Sequence, residues 1–119
     1  KRQIYIYSGG YDAWSANYWV EEMENTFGKD TWQAVHQGKK TLSGPMKSLG
    51  ADLEKKIINY NNNPILKWCL TNTAVDIDKN DNIQPIKTSN QRRRIDGLAS
   101  LLDAYVQLER VYEGYMSVI

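Results

Sequence analysis

The sequence predicts an α/β fold in which a small parallel sheet is flanked by helices and joined by a β-hairpin. Three observations predict it. Near the start, short apolar runs rich in β-branched and aromatic residues alternate with segments of helical period, the order of a βαβ unit. Two later runs flank Lys79-Asn80-Asp81-Asn82, the pattern of a hairpin. The last segment repeats apolar residues at three- and four-residue spacing and predicts the longest helix.

The elements follow in order. Gln3 to Tyr7 predicts a short buried strand, broken by Ser8-Gly9-Gly10. Ala16, Trp19, Val20, Met23 and Phe27 share one helix face, and Gly28 ends that helix. Thr31 to His36 predicts a second strand, and Gln37-Gly38-Lys39-Lys40 a polar turn. Met46, Leu49, Leu53 and Ile57 predict a helix with Pro45 near its start, where a missing N–H costs little. Asn61-Asn62-Asn63 is a polar break. Asn63 then reads as an N-cap and Pro64 as the first position of a short helix carrying Ile65, Leu66, Trp68 and Cys69. Thr73 to Asp78 and Ile83 to Lys87 are the hairpin strands, and Thr88-Ser89-Asn90 is a loop. In the last helix Ile95, Leu98, Leu102, Tyr105 and Tyr112 form a stripe widened by Leu101 and Leu108. The opening strand–helix–strand order favours a right-handed unit with parallel strands. Two strands bury both faces poorly, so a sheet this small points to further strands before Lys1.

Composition narrows the function classes. The 119 residues make one ordinary domain or a large piece of one, and 41% hydrophobic content supports a packed core rather than disorder. The formal net charge is +1, so a surface for nucleic acid must come from local clustering. Cys69 is the single cysteine, which excludes an internal disulfide and fits a reducing compartment. With His36 the single histidine, a Cys/His zinc site from one chain is excluded as well. There is no run of about 18 apolar residues for a membrane span and no signal peptide. Lys1 and Arg2 lead straight into the first apolar run without a start methionine, as expected of a processed protein or an excised piece.

Chemistry concentrates in a few carboxylates and cations. Asp12 follows the first strand and a glycine pair and precedes a helix, the place where open α/β sheets bind ligands. The alternative is that Asp12 simply N-caps a helix starting at Ala13. Asp96 lies in Arg92-Arg93-Arg94-Ile95-Asp96-Gly97 at the start of the last helix, where the helix dipole favours a carboxylate. The arginines do not fit that dipole, and a bound polyanion, or several carboxylates nearby, would offset their cost. The alternative for them is a solvated charge run. Asp103, seven residues past Asp96, projects from nearly the same helix face. It is either a third oxygen donor for a hard divalent cation or a plain solvent-facing residue. Lys87, Lys39 and Lys40 could touch phosphates. Asp76 and Asp78 alternate with Val75 and Ile77 as on a solvated strand face, and His36 reads as structural. Trp14, Trp19, Trp32 and Trp68 could stack on bases, although for most of them core packing is expected.

Taken in order, several segments resemble one known family. Gly10-Tyr11-Asp12-Ala13-Trp14-Ser15-Ala16 resembles the tyrosine–aspartate motif in the nuclease domain of phage terminase large subunits. Gln37-Gly38-Lys39-Lys40-Thr41-Leu42-Ser43 is similar to that family's glutamine–glycine segment, and Asn62-Asn63-Pro64-Ile65-Leu66-Lys67-Trp68 to its asparagine–proline helix. Asn82-Ile83-Gln84-Pro85-Ile86-Lys87, followed by Arg94-Ile95-Asp96-Gly97, resembles its closing hairpin and last helix.

The resemblance implies a partial ribonuclease-H-like fold, with residues 1–119 as the C-terminal part of the nuclease domain and the first strands absent. It implies a nuclease that cuts concatemeric viral DNA before and after packaging, by metal-dependent phosphodiester hydrolysis. The family also carries an ATPase motor, but this sequence has no GxxxxGK[ST] loop. The family's metal site takes one acidic residue from the first strand of the sheet, one after a later strand and one on the last helix. Asp12 matches the second position and Asp96 the third, while the first has no counterpart in this sequence. Two Mg2+ or Mn2+ ions are implied, held by Asp12 and Asp96 with Asp103 as a helper. Lys87, Arg92, Arg93 and Arg94 would hold the DNA backbone. The implied partners are double-stranded viral DNA, the small terminase subunit and the portal, in the host cytoplasm and without a membrane. With one carboxylate position unfilled, the chain alone is expected to cut weakly or not at all. The alternative is a non-catalytic module that binds DNA or a packaging partner. Self-association is expected through an unpaired strand edge at Ile4 to Tyr7.

Overall fold

A computed structural model of the chain describes residues 3, 5–14, 16–90 and 92–119. The elements are β1 (Gly9–Asp12), α1 (Asn17–Phe27), a 3-10 turn (Lys29–Thr31), β2 (Trp32–Val35), α2 (Lys39–Glu54), α3 (Pro64–Asn72), β3 (Thr73–Ile77), β4 (Ile83–Lys87) and α4 (Asp96–Met116). They divide into two compact units, one of Lys1–Gln37 with Asp103–Ile119 and one of Gly38–Leu102.

In the first unit β1 and β2 pair in parallel from Gly9↔Trp32 to Asp12↔Val35, with α1 between them in sequence, as expected of a βαβ unit. The first strand is not where the apolar run predicts it. It begins at the glycine pair that was expected to end it. Tyr5, Ile6 and Tyr7 are exposed and lie in no strand, and Ile4 is outside the described residues. Space is the physical reason. A Cβ on Gly9 would run into the Trp32 ring, and a Cβ on Gly10 would lie 2.6 Å from the Asp103 main-chain oxygen and 3.0 Å from Val35 Cγ2. Only residues without a side chain let β1 come so close to its neighbours. The expected pairing of two copies through Ile4 to Tyr7 therefore has no strand to run on among the described residues.

Helix α1 closes at Gly28, whose N–H donates to the Glu24 carbonyl at 2.8 Å. Its residue Val20 is buried, and Trp19 and Phe27 pack edge-on against Trp32 at centroid distances of 4.9 and 6.1 Å. The part of α4 in this unit turns Asp103, Val106 and Gln107 inward. Tyr112 and Leu108, expected on the apolar stripe, are exposed instead. Gln107 is 1% exposed, and both ends of its amide have a partner. Its Nε2 donates to Ser8 Oγ at 2.8 Å, Ser8 donates to the Thr31 carbonyl at 3.3 Å, and Arg110 donates to the Ala34 carbonyl at 2.9 Å and to Gln107 Oε1 at 3.5 Å. These bonds tie the helix to the two strand regions and satisfy a buried amide that periodicity alone would not place inside.

In the second unit α2 begins earlier than expected, so Lys39 and Lys40 are its first turn rather than part of a polar loop. Gly38, at φ 115°, makes the bend, and its carbonyl accepts the Leu42 N–H at 3.0 Å. Pro45 therefore sits inside the helix, where it forgoes one hydrogen bond, and Ile57 lies beyond the helix end and is exposed. Leu42 and Leu49 are buried. Helix α3 starts as expected, with Asn63 Oδ1 accepting from the N–H groups of Ile65 and Leu66 at 3.0 and 3.1 Å. The hairpin pairs Thr73↔Lys87 through Ile77↔Ile83. Its first strand stops before Asp78, whose carboxylate accepts the N–H groups of Asn80 and Asn82 at 2.8 and 3.0 Å and closes the turn. Ser43 Oγ accepts the Ile83 N–H at 3.0 Å and joins α2 to β4. Cys69, Ile95, Leu98 and Leu102 complete the buried apolar set among the described residues of this unit, and Ser43 and Asn72 are buried polar residues.

Candidate functional site

Asp12 is the last residue of β1, opposite Val35 in the register. It does not cap a helix. Helix α1 begins only at Asn17, and Asp12 Oδ1 accepts the Trp14 N–H at 3.0 Å, which closes a tight turn directly after the strand. In the same unit Asp103 is 9% exposed, on the stretch of α4 that Gly10 allows β1 to approach. The solvent-facing reading of Asp103 is thereby overturned. Its one described side-chain partner is Gln37, just past β2, whose Nε2 donates to Asp103 Oδ1 at 3.3 Å and to the Val35 carbonyl at 3.1 Å.

The charge balance of this pair is unfavourable as it stands. Burial pushes the Asp103 carboxyl above the usual carboxylate range, the Gln37 amide pulls it back, and the negative charge of Asp12 adds to the rise. A strand-end carboxylate and a buried helix carboxylate thus repel each other, with one long amide hydrogen bond as compensation. A hard divalent cation would offset that repulsion through oxygen donors alone. Among the described residues no group of three or more His, Cys, Asp or Glu side chains gathers to hold a metal ion.

The other expected site residues belong to the second unit. Asp96 opens α4 and is exposed. Arg92, Arg93 and Arg94 are exposed, while their backbone is held. Asn90 Oδ1 accepts the Arg92 N–H at 3.1 Å, the Asn90 carbonyl accepts the Arg93 N–H at 3.0 Å, and the buried Asn72 donates to the Arg94 carbonyl at 3.0 Å. Lys87 ends β4 and is exposed. A fixed loop backbone with cationic heads in water suits phosphate oxygens. Lys39 is committed elsewhere, paired with Asp76 at 2.8 Å. That lysine and the Gln84 amide hold the Asp76 carboxyl below the usual range, and backbone N–H groups of Asn82 and Asn80 do the same for Asp78. Both belong to the hairpin and its turn, but the solvated face expected from their alternation is reversed: Val75 and Ile77 are exposed, while Asp76 and Asp78 are half-buried by the partners just named.

One feature escapes the sequence reading. Gln37 sits in a segment expected to be a plain polar turn, and nothing in its local pattern signals a carboxylate partner 66 residues away. The core packing expected for most of the tryptophans is met in part: Trp32 is half-buried, Trp19 and Trp68 are 44% and 45% exposed, and Trp14 is 83% exposed.

A family model described as terminase large subunit, endonuclease domain, matches residues 3–111. No curated protein matches the chain in sequence. The crystal structure of the HK97 bacteriophage large terminase is similar in fold, with a TM-score of 0.69 at 18% identity. The likeness covers 82% of this chain and 20% of that one, so the chain spans about a fifth of that protein. Its small parallel pair, hairpin and helices are those of the ribonuclease-H-like terminase nuclease fold, and the family model covers nearly every residue. The chain belongs to the family of terminase large-subunit endonuclease domains.

Proposed function

We propose that this chain is the DNA-cutting part of a large terminase subunit and hydrolyses phosphodiester bonds of concatemeric viral DNA during genome packaging, with divalent metal as cofactor. Asp12 at the end of β1 and the buried Asp103 on the stretch of α4 that Gly10 approaches, in a chain matched to an endonuclease family over residues 3–111, carry this reading. Asp12 and Asp96 would hold Mg2+ or Mn2+, and Asp103 would add charge beside Asp12. Their donor set is hard oxygen only, which fits these ions. When bound, the ions would supply an activated water and charge to stabilise the leaving oxygen. Gln37 keeps the Asp103 carboxylate oriented. Arg92, Arg93, Arg94 and Lys87 grip the DNA backbone without reading sequence. The small terminase subunit, the portal and the host cytoplasm belong to the same proposal.

Nicking of supercoiled plasmid tests it, with Mn2+ or Mg2+ and with chelator, in this chain and in a version extended upstream. Weak cutting is expected of the chain alone and metal-dependent cutting of the longer version. Asp12→Asn and Asp96→Asn should each abolish it with folding nearly intact. Equal, chelator-insensitive cleavage by the variants would end the metal reading. A second reading, a non-catalytic DNA- or partner-binding module, draws on the exposed basic run and on the lack of a three-ligand group among the described residues. DNA binding without any metal-dependent nicking in either version would select it.

A further inference from the structure

Trp14 stands in water at 83% exposure, two residues beyond Asp12. Burying an indole removes about 150–250 Å2 from water; Trp32 gains part of that contact beneath Trp19 and Phe27, and Trp19 keeps 44% of its surface exposed. Trp14 forgoes it. Its backbone is nonetheless pinned, because its main-chain N–H donates to Asp12 Oδ1 at 3.0 Å. The turn that carries the exposed indole is therefore closed by the same carboxylate that is a candidate metal ligand. Two residues of backbone reach at most about 7 Å, about two nucleotide steps at a rise of 3.4 Å per strand.

We propose that Trp14 is a DNA-contact residue whose indole face stacks on a base or deoxyribose one or two nucleotides from the phosphodiester held at Asp12. This rests on the nuclease reading and deepens it by naming how the strand is seated beside the carboxylate. Charge cannot do that alone. Phosphate contacts grip the backbone anywhere along it, whereas a flat apolar side chain at a fixed distance from Asp12 sets a register. Bases within a duplex already stack on their neighbours, so the indole would meet a deoxyribose or the face of an unpaired base, and either contact is indifferent to sequence. It also accounts for an indole left exposed on a turn that is otherwise held.

The test is binding of the full chain to a duplex with a single-stranded overhang, in chelator, read by fluorescence anisotropy and by quenching of intrinsic tryptophan emission. Trp14→Ala should weaken binding by about 5- to 150-fold, the range for loss of one base stack, for all sequences and with the salt dependence unchanged. Trp14→Phe should restore most of the affinity while showing less emission quenching than the wild type. Wild-type affinity and wild-type quenching in these variants would overturn the proposal, and so would a wild-type chain that does not bind DNA. The nuclease reading fails separately, on nicking by Asp12→Asn and Asp96→Asn, which binding in chelator does not touch.

Discussion

Replacing Gly10 by alanine places a methyl group where α4 already stands. The added Cβ would lie 2.6 Å from the Asp103 main-chain oxygen and 3.0 Å from Val35 Cγ2. A carbon–oxygen contact is comfortable at about 3.3 Å or more, so the carbonyl must retreat by roughly 0.7 Å. That oxygen belongs to a helix backbone and cannot swing aside as a side-chain tip would. Forcing a methyl into a packed contact costs about 1–3 kcal/mol, and the lower chain entropy of alanine in the unfolded state offsets about 0.4–1 kcal/mol of that. The net expectation is a loss of about 1–2 kcal/mol, or roughly 3–12 °C in melting temperature for a chain of this size. Thermal unfolding followed by circular dichroism measures it. Gly50→Ala is the control, since a Cβ there meets nothing within 4 Å inside α2, and it should stabilise by about 0.5–1 kcal/mol. If Gly10→Ala melts at or above the wild type while Gly50→Ala behaves as expected, the close approach of β1 to α4 at Asp103 is wrong.

Three further expectations concern charge and capping. Asp103 has a raised folded-state pKa, so its contribution is most favourable below the ordinary carboxylate value and is lost as pH rises through the raised value. In chelator, Asp103→Asn should therefore match the wild type in acid and gain on it progressively toward neutral pH, and a constant or reversed difference in denaturant midpoints would refute the unfavourable pairing with Asp12. Alanine at both Arg92 and Arg93 should weaken DNA binding similarly for all sequences and lower its salt slope, because these exposed heads act on phosphates; an unchanged slope returns them to a solvated surface. Asn63→Ala removes the acceptor for two α3 N–H groups and should cost about 1 kcal/mol in chemical denaturation, whereas no loss would mean that water caps the helix equally well.

Local chemistry is what a chain spells out directly. Asn63-Pro64 announces a helix start because an amide acceptor and a residue lacking an N–H meet the same orphan donors wherever the helix later packs. The hairpin is legible because its apolar runs and its Asp78-centred turn are short-range, and its register follows from them. The βαβ order at the start is legible for the same reason, as are Asp12 at a strand end and Asp96 at a helix start. Ordered motifs along the chain were enough to identify the nuclease family. Packing decided the remainder. Gly9 and Gly10 read as breakers in one dimension, yet they are the strand, because Trp32 and the Asp103 carbonyl occupy the space side chains would need. Periodicity draws Tyr112 and Leu108 into the core, yet Asp103 and Gln107 take the inward face, since Gln37 just past β2 and Ser8 just before β1 reach them there. Hydrophobic spacing records which residues prefer to leave water. It holds no record of which polar group will find a donor 66 residues away, as Asp103 does at Gln37, and only the folded chain brings that pair together.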